Sequence, residues 1–256
     1  MNINKFIIKR NLLVLCIFSI LAISIFPASA GTGDDSDSSS PEVGVEWVCD
    51  YTYPYADLPN SDDSAVGFYN RMGNAGWTKK FSKGNSNAKA AHFEQSGSDT
   101  TYIDAVDIAF YQGHGAAGRL DVSTYTEKVY ANEAEWGDYD LEWIGLHACS
   151  VLSNNNFKGS LNGAHLICGF STTAYNYASD GTNWAAYMID DGANDDAYTV
   201  KNAWFSAIDV NQPSGVTLKV FGETSSCGND KVWGQGTVIS DPTPDSTYST
   251  WTHSCS

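Results

Sequence analysis

Residues 107–115 read DIAFYQGHG, an apolar run that stops at a histidine between two glycines. Residues 141–149 read LEWIGLHAC, a second apolar run, closed by Ala148 and Cys149. Short apolar runs bounded by turn residues read as strands buried on both faces, the kind found inside parallel sheets. Ala164 to Phe170 (AHLICGF) has this character too, and Val43 to Tyr53 (VGVEWVCDYTY) has strand composition with Val43, Val45 and Trp47 alternating. Between the strands lie helical patterns. Ser61, Asp62 and Asp63 offer capping chemistry to a helix that carries Ala65, Val66, Phe68, Tyr69 and Met72 at helical spacing and stops at Gly73 and Asn74. Shorter helices are expected over 85–95, near 183–190 and over 196–210. Trp77 to Phe81, Val216 to Glu223 and Val232 to Ile239 read as strands, and Leu120 to Tyr139 as a hairpin or loop excursion.

Strands alternating with helices imply an α/β fold, a three-layer sandwich whose mostly parallel sheet carries helices on both faces. In such sheets functional groups collect beyond the carboxyl ends of the strands. His114 follows one strand and Cys149 another, 35 residues later. That interval is room for one crossover, so the two strands are expected to be sheet neighbours. Both side chains then emerge at one edge.

The ends of the chain read differently. Lys5, Lys9 and Arg10 precede a mostly apolar stretch, Asn11 to Phe26, and Ala28-Ser29-Ala30 has the small-x-small form of a cleavage site. Residues 1–30 are read as a secretory signal peptide, with an uncleaved anchor as the alternative. Residues 31–42 are acidic and of low complexity, a disordered leader. The α/β domain is expected over 43–240, with a tail over 241–256. The whole chain has 14 Lys and Arg against 30 Asp and Glu; three of the basic residues lie in the first 30, leaving 11 against 30, a net charge of −19. Such a surface repels nucleic acid and anionic lipid. It suits an extracellular or cell-surface location and favours a cationic over an anionic substrate.

Five cysteines follow residue 30: Cys49, Cys149, Cys168, Cys227 and Cys255. An odd number in an exported chain leaves at least one thiol unpaired unless chains cross-link. A Cys227–Cys255 bridge would pin the tail. A Cys149–Cys168 bridge would instead consume the thiol that could do chemistry.

A thiol attacks well only as thiolate, and a nearby imidazole promotes that form. Gly113 and Gly115 leave room for a substrate backbone beside His114. The amides of Gly115 and Cys149 could stabilise an oxyanion. Taken singly, His114 reads as a turn or core histidine and Cys149 as inert packing. His147 shares a strand face with position 149 and is a second candidate base, or else a satisfied core histidine. A metal site from His114, His147 and Cys149 matches no standard zinc spacing.

The two motifs together resemble the caspase-like cysteine peptidases, the group of caspases, legumains, gingipains and clostripain. Its shared signature is a hydrophobic stretch with His-Gly and a later one with Ala-Cys. The Gly-His-Gly form resembles the gingipain side, and an uncharacterised family of secreted prokaryotic proteins has both motifs. The resemblance implies a dyad of His114 as general acid/base and Cys149 as nucleophile, with Gly115 and Cys149 as amide donors. It implies peptide or protein substrates, a thioester acyl-enzyme, and no cofactor or metal for the chemistry, although some members bind calcium. The caspase Gln-Ala-Cys-Arg-Gly context is replaced by His147-Ala148-Cys149-Ser150-Val151, so caspase specificity for aspartate does not carry over. Arg119 could meet an acidic side chain, and Asp121 or Asp180 a basic one. Two other readings stand beside the peptidase: an exported binding module using the 33 aromatic residues, and a thiol transferase or amidase.

Overall fold

The structure is a computed structural model that describes residues 40–123, 127–190 and 196–256. The expected signal peptide, and the acidic leader up to residue 39, lie outside the described residues. In chain order the elements are β1 (Glu42–Trp47), α1 (Ser61–Asn74), β2 (Thr78–Gly84), β3 (Ile108–Gln112), β4 (His114–Ala116), β5 (Arg119–Val122), β6 (Glu127–Tyr130), β7 (Trp143–His147), β8 (Leu166–Phe170), α2 (Asp180–Met188), α3 (Val200–Asp209), β9 (Thr217–Gly222) and β10 (Ser249–Ser254).

Among the described residues the main sheet has seven strands in the order β10-β9-β8-β7-β3-β1-β2. The five from β2 to β8 are parallel, and β9 and β10 are antiparallel additions at one side. Every residue of β3, β7 and β8 is buried, which is why these strands read as continuous apolar runs rather than alternating ones.

Strand alternation divides the core in two. Val43, Val45, Ile108, Phe110, Trp143, Leu166 and Phe170 face α1, α2 and α3. Ala109, Tyr111, Ile144, Leu146 and Ile167 face the other way. Helices cover both faces, as expected, but of different kinds. The second face is closed by short 3-10 turns and by the small antiparallel sheet β4-β5-β6. Residues 85–95, expected as one helix, form two such turns at Asn85–Asn87 and Ala90–His92. Here His92 turns in to hydrogen-bond buried Glu46 at 2.6 Å, so the segment follows a buried polar contact instead of a helical stripe. Among the described residues the crossover between β3 and β7 contains the small sheet and no α-helix.

The helix face is built on aromatics. Trp184 of α2 stacks on Phe68 of α1 with centroids 5.0 Å apart and meets Trp204 of α3 edge-on at 5.1 Å. Gly145 of β7 lies under that indole; a Cβ there would come within 2.5 Å of it.

The C-terminal end departs from expectation. Residues 232–239 form turns, not a strand, because Gly234 and Gly236 adopt positive φ angles of 81° and 158° and the segment folds back on Asp230, whose carboxylate accepts from the Ile239 amide. The last strand comes from the tail, where Ser249–Ser254 pairs along β9. That ladder holds the tail, with Asp209 accepting from His253 at 2.9 Å. The Cys227–Cys255 bridge does not form, and all five described cysteines are free thiols.

Gly145→Ala is expected to cost ~1–3 kcal/mol in a urea titration, because the added methyl overpacks Trp184. Gly159→Ala, with nothing within 4 Å of its new methyl, is the control and should stay within ~0.5 kcal/mol of the parent.

Candidate active site

The parallel register of β3 and β7 sets Gln112 opposite His147, and the next amide, Gly113 N–H, donates to the His147 carbonyl at 3.2 Å. The residues that follow each strand therefore leave the sheet side by side. His114 and Cys149 line one pocket of about 100 Å³ together with Gln112, His147, Ala174 and Asn176.

The two glycines around His114 have separate reasons. A Cβ on Gly113 would fall 2.2 Å from the Tyr111 hydroxyl and 2.5 Å from that of Tyr51. Both hydroxyls donate to the Asp121 carbonyl at 2.8 Å, and Tyr51 Oη also accepts the His114 amide at 2.7 Å. A Cβ on Gly115 would sit 2.8 Å from Ala148 Cβ and 3.5 Å from the Cys149 carbonyl. Gly115 thus lets β4 pass directly against the turn that carries the thiol.

The imidazole of His114 is held from three sides. Tyr51 and Tyr55 pack on it with centroids at 4.5 and 5.0 Å. Its Nε2 lies 2.8 Å from the Ala56 carbonyl. A carbonyl only accepts, so Nε2 carries a proton and Nδ1 is the basic nitrogen of the neutral ring.

Cys149 stands two residues past the end of β7, and the chain turns sharply after it. Ser150 has φ 54°, a left-handed conformation uncommon for a residue with a side chain and concentrated at functional sites. The thiol donates to the Ala174 carbonyl at 3.4 Å and accepts the Ala174 amide at 3.3 Å. No hydrogen bond joins it to His114 among the described residues. The pairing with Cys168 does not form, since both are free thiols and Cys168 is fully buried in β8. Burial raises the thiol pKa of the other four described cysteines, to about 11 for Cys49 and Cys255 and upward for Cys168 and Cys227.

His147 is a core histidine that also borders the pocket. Its Nε2 is 2.7 Å from Asp180 Oδ2, and Asp180 further accepts from Gln212 at 3.0 Å and Asn211 at 2.7 Å. Asp180 is therefore committed behind His147 and is not placed to meet a basic substrate group. Asp121 is likewise committed, as the ion-pair partner of Arg119 at 2.9 Å, and Arg119 also donates to Tyr55. Among the described residues no group of three or more His, Cys, Asp or Glu is placed to hold a metal ion.

Sequence reasoning missed Tyr51, Tyr55, Ala56, Gln112, Ala174 and Asn176. The aromatic cluster in DYTYPYADL (50–58) was the available signal for the first two. The others act through backbone atoms or amides and leave no spacing pattern.

The family model described as Domain of unknown function (DUF6345) matches residues 45–255, more than four fifths of the chain. The chain belongs to this family. A search of the curated proteins finds no match for this DUF6345 protein. Among solved structures it is similar to a secreted C11 cysteine protease from Bacteroides thetaiotaomicron, "iotapain", at 9% identity and TM-score 0.42, over 72% of this chain and 67% of that one. It is also similar to an inactive zymogen C11 protease from Parabacteroides distasonis, at 10% identity and TM-score 0.43, over 72% of this chain and 62% of that one.

Brief alkylation of the native, unreduced DUF6345 protein with iodoacetamide should modify Cys149 first. Cys149 is partly exposed, whereas the other four described thiols are buried. Peptide mapping by mass spectrometry checks this. Equal labelling of Cys49 or Cys255 in the same interval would contradict the assignment.

Proposed function

We propose that the protein is an exported cysteine peptidase in which Cys149 is the nucleophile and His114 the general acid/base. The observation that carries this reading is the convergence of both groups on one pocket, with the imidazole fixed in a single tautomer. Ala56 occupies Nε2–H, so Nδ1 takes the thiol proton. The Cys149 sulfur then adds to the scissile carbonyl. The C–N bond breaks as Nδ1–H passes its proton to the leaving amine, and a thioester remains. Water, deprotonated by Nδ1, releases the acyl group and restores the thiol.

The oxyanion formed at each addition requires donors at the turn after β7. The amides of Gly115 and Cys149 are the candidates, because β4 runs in contact with that turn at Ala148. The substrate is a peptide or protein segment; the acidic surface opposes nucleic acid. Export rests on the composition of residues 1–30. Among the described residues no helix is long and apolar enough to cross a membrane.

One observation favours a second reading, a binding module without catalysis. The thiol and the imidazole are each engaged with a backbone group, Ala174 and Ala56, rather than with each other. Exposed Tyr53, Tyr175 and Tyr177 on the adjoining loops would then supply the contact surface.

A mixed peptide library with cleavage products read by mass spectrometry separates the two. Cys149→Ala should abolish cleavage, and His114→Ala should lower kcat/KM by about 10²–10⁴-fold, the range for losing a positioned acid/base. Cleavage unchanged in both variants would exclude the dyad.

A further inference from the structure

We infer that Gln212 is the positioning residue of the nucleophile: it fixes the Ala174 amide as the hydrogen-bond donor that stabilises Cys149 as a thiolate. This rests on the peptidase reading of the same pocket.

A reactive thiolate is supported by a helix N-terminus, a lysine or arginine, or an imidazolium beside it. No lysine or arginine lines the pocket. Among the described residues no α-helix starts behind Cys149, where the chain passes through a turn. His114 becomes cationic only by taking the thiol proton. The group in contact with the sulfur is Ala174. Its N–H donates to Sγ at 3.3 Å, and its carbonyl accepts from the thiol at 3.4 Å. The two contacts respond oppositely when the proton moves from Sγ to His114 Nδ1. The donation to the carbonyl ends as the proton leaves. The N–H donation remains and now ends on an anion, and such charge-assisted bonds are roughly twice as strong as neutral ones. A donor to the charged form favours that form.

Ala174 owes its place to Gln212. Residues 171–179 form no helix or strand, so separate contacts hold them. On one side of Ala174, the Thr172 carbonyl accepts the Ser150 amide at 2.7 Å. On the other, Gln212 brackets the Tyr175 backbone: Oε1 accepts the amide at 2.9 Å and Nε2 donates to the carbonyl at 2.8 Å. The same Nε2 donates to Asp180 Oδ2 at 3.0 Å. A peptide N–H only donates and a peptide carbonyl only accepts, so these partners settle which end of the Gln212 amide is nitrogen. Gln212 is 3% exposed, and its own N–H is bonded to the Ile208 carbonyl at the end of α3 at 3.1 Å. One buried glutamine thus ties α3 to the backbone one residue from the donor. A glutamine that merely anchored the loop would, when lost, loosen the loop and bare the thiol. The two roles therefore move thiol reactivity in opposite directions.

The test uses Gln212→Met, which keeps the length of the side chain and removes its amide. Iodoacetamide at neutral pH should alkylate Cys149 about three- to tenfold more slowly than in the parent, as a lost donor lowers the thiolate fraction. Labelling of buried Cys168 in the same digest reports misfolding. With a cleaved peptide, kcat should fall by a similar factor while KM stays within about twofold. In the unmutated full-chain protein, the NMR signal of the Ala174 amide proton should move over the pH range in which alkylation accelerates, and stay still in Cys149→Ala. This second measurement decides alone if Gln212→Met misfolds. Unchanged or faster alkylation of a folded Gln212→Met, or an Ala174 signal indifferent to Cys149, would overturn the inference and leave the peptidase reading intact. Slower alkylation and a titrating Ala174 signal without any Cys149-dependent cleavage would overturn the peptidase reading and leave the amide donor standing.

Discussion

The parallel pairing of Ile108–Gln112 with Trp143–His147 is the constraint on which the site depends. Hydrogen bonding between these strands fixes their register, and the register fixes where each chain leaves the sheet. A slip would turn the buried faces out and separate the two exits. The pairing is secured from the helix side by Trp184 lying over Gly145, between Phe68 and Trp204. On the other side Leu146 and Ile144 pack under the small sheet that the crossover itself forms. The position of His114 relative to Cys149 is thus a consequence of core packing many residues away.

Beyond the strand ends, polar contacts take over. Tyr51 and Tyr111 converge on the Asp121 carbonyl, and this tie draws β5 and the 50–58 loop around His114. Asp180 gathers His147, Asn211 and Gln212. Gln212 in turn holds both the amide and the carbonyl of Tyr175. That clamp sets the loop whose Ala174 engages the thiol and whose Asn176 meets Gln112. Two of the loops that line the pocket are therefore anchored through buried polar groups.

The legible part of this arrangement was the part governed by burial. DIAFYQ, LEWIGLH and LICGF announced themselves because strands covered on both faces must be apolar throughout, and the helix over 61–74 because one face of it must be. The segment 85–95 was misread because its form follows His92 reaching Glu46, a contact with a partner 46 positions away. Ser249–Ser254 was passed over as tail because an edge strand with one wet face alternates weakly and contains few aliphatics. Val232 to Ile239 had strand-forming residues, but Gly234 and Gly236 turn it back.

By itself the sequence determined the α/β class, the two strands that end in His-Gly and Ala-Cys, and the prospect that both residues share an edge. Apolar periodicity and glycine placement are local properties, and they suffice for that. Only the tertiary structure decided that Gly113 makes way for two tyrosine hydroxyls, that Ala56 selects the tautomer of His114, that Cys149 stays a free thiol, and that Gln112 and Asn176 meet. Each of these depends on atoms far apart in the chain brought within a few ångströms, a relation that no local spacing records.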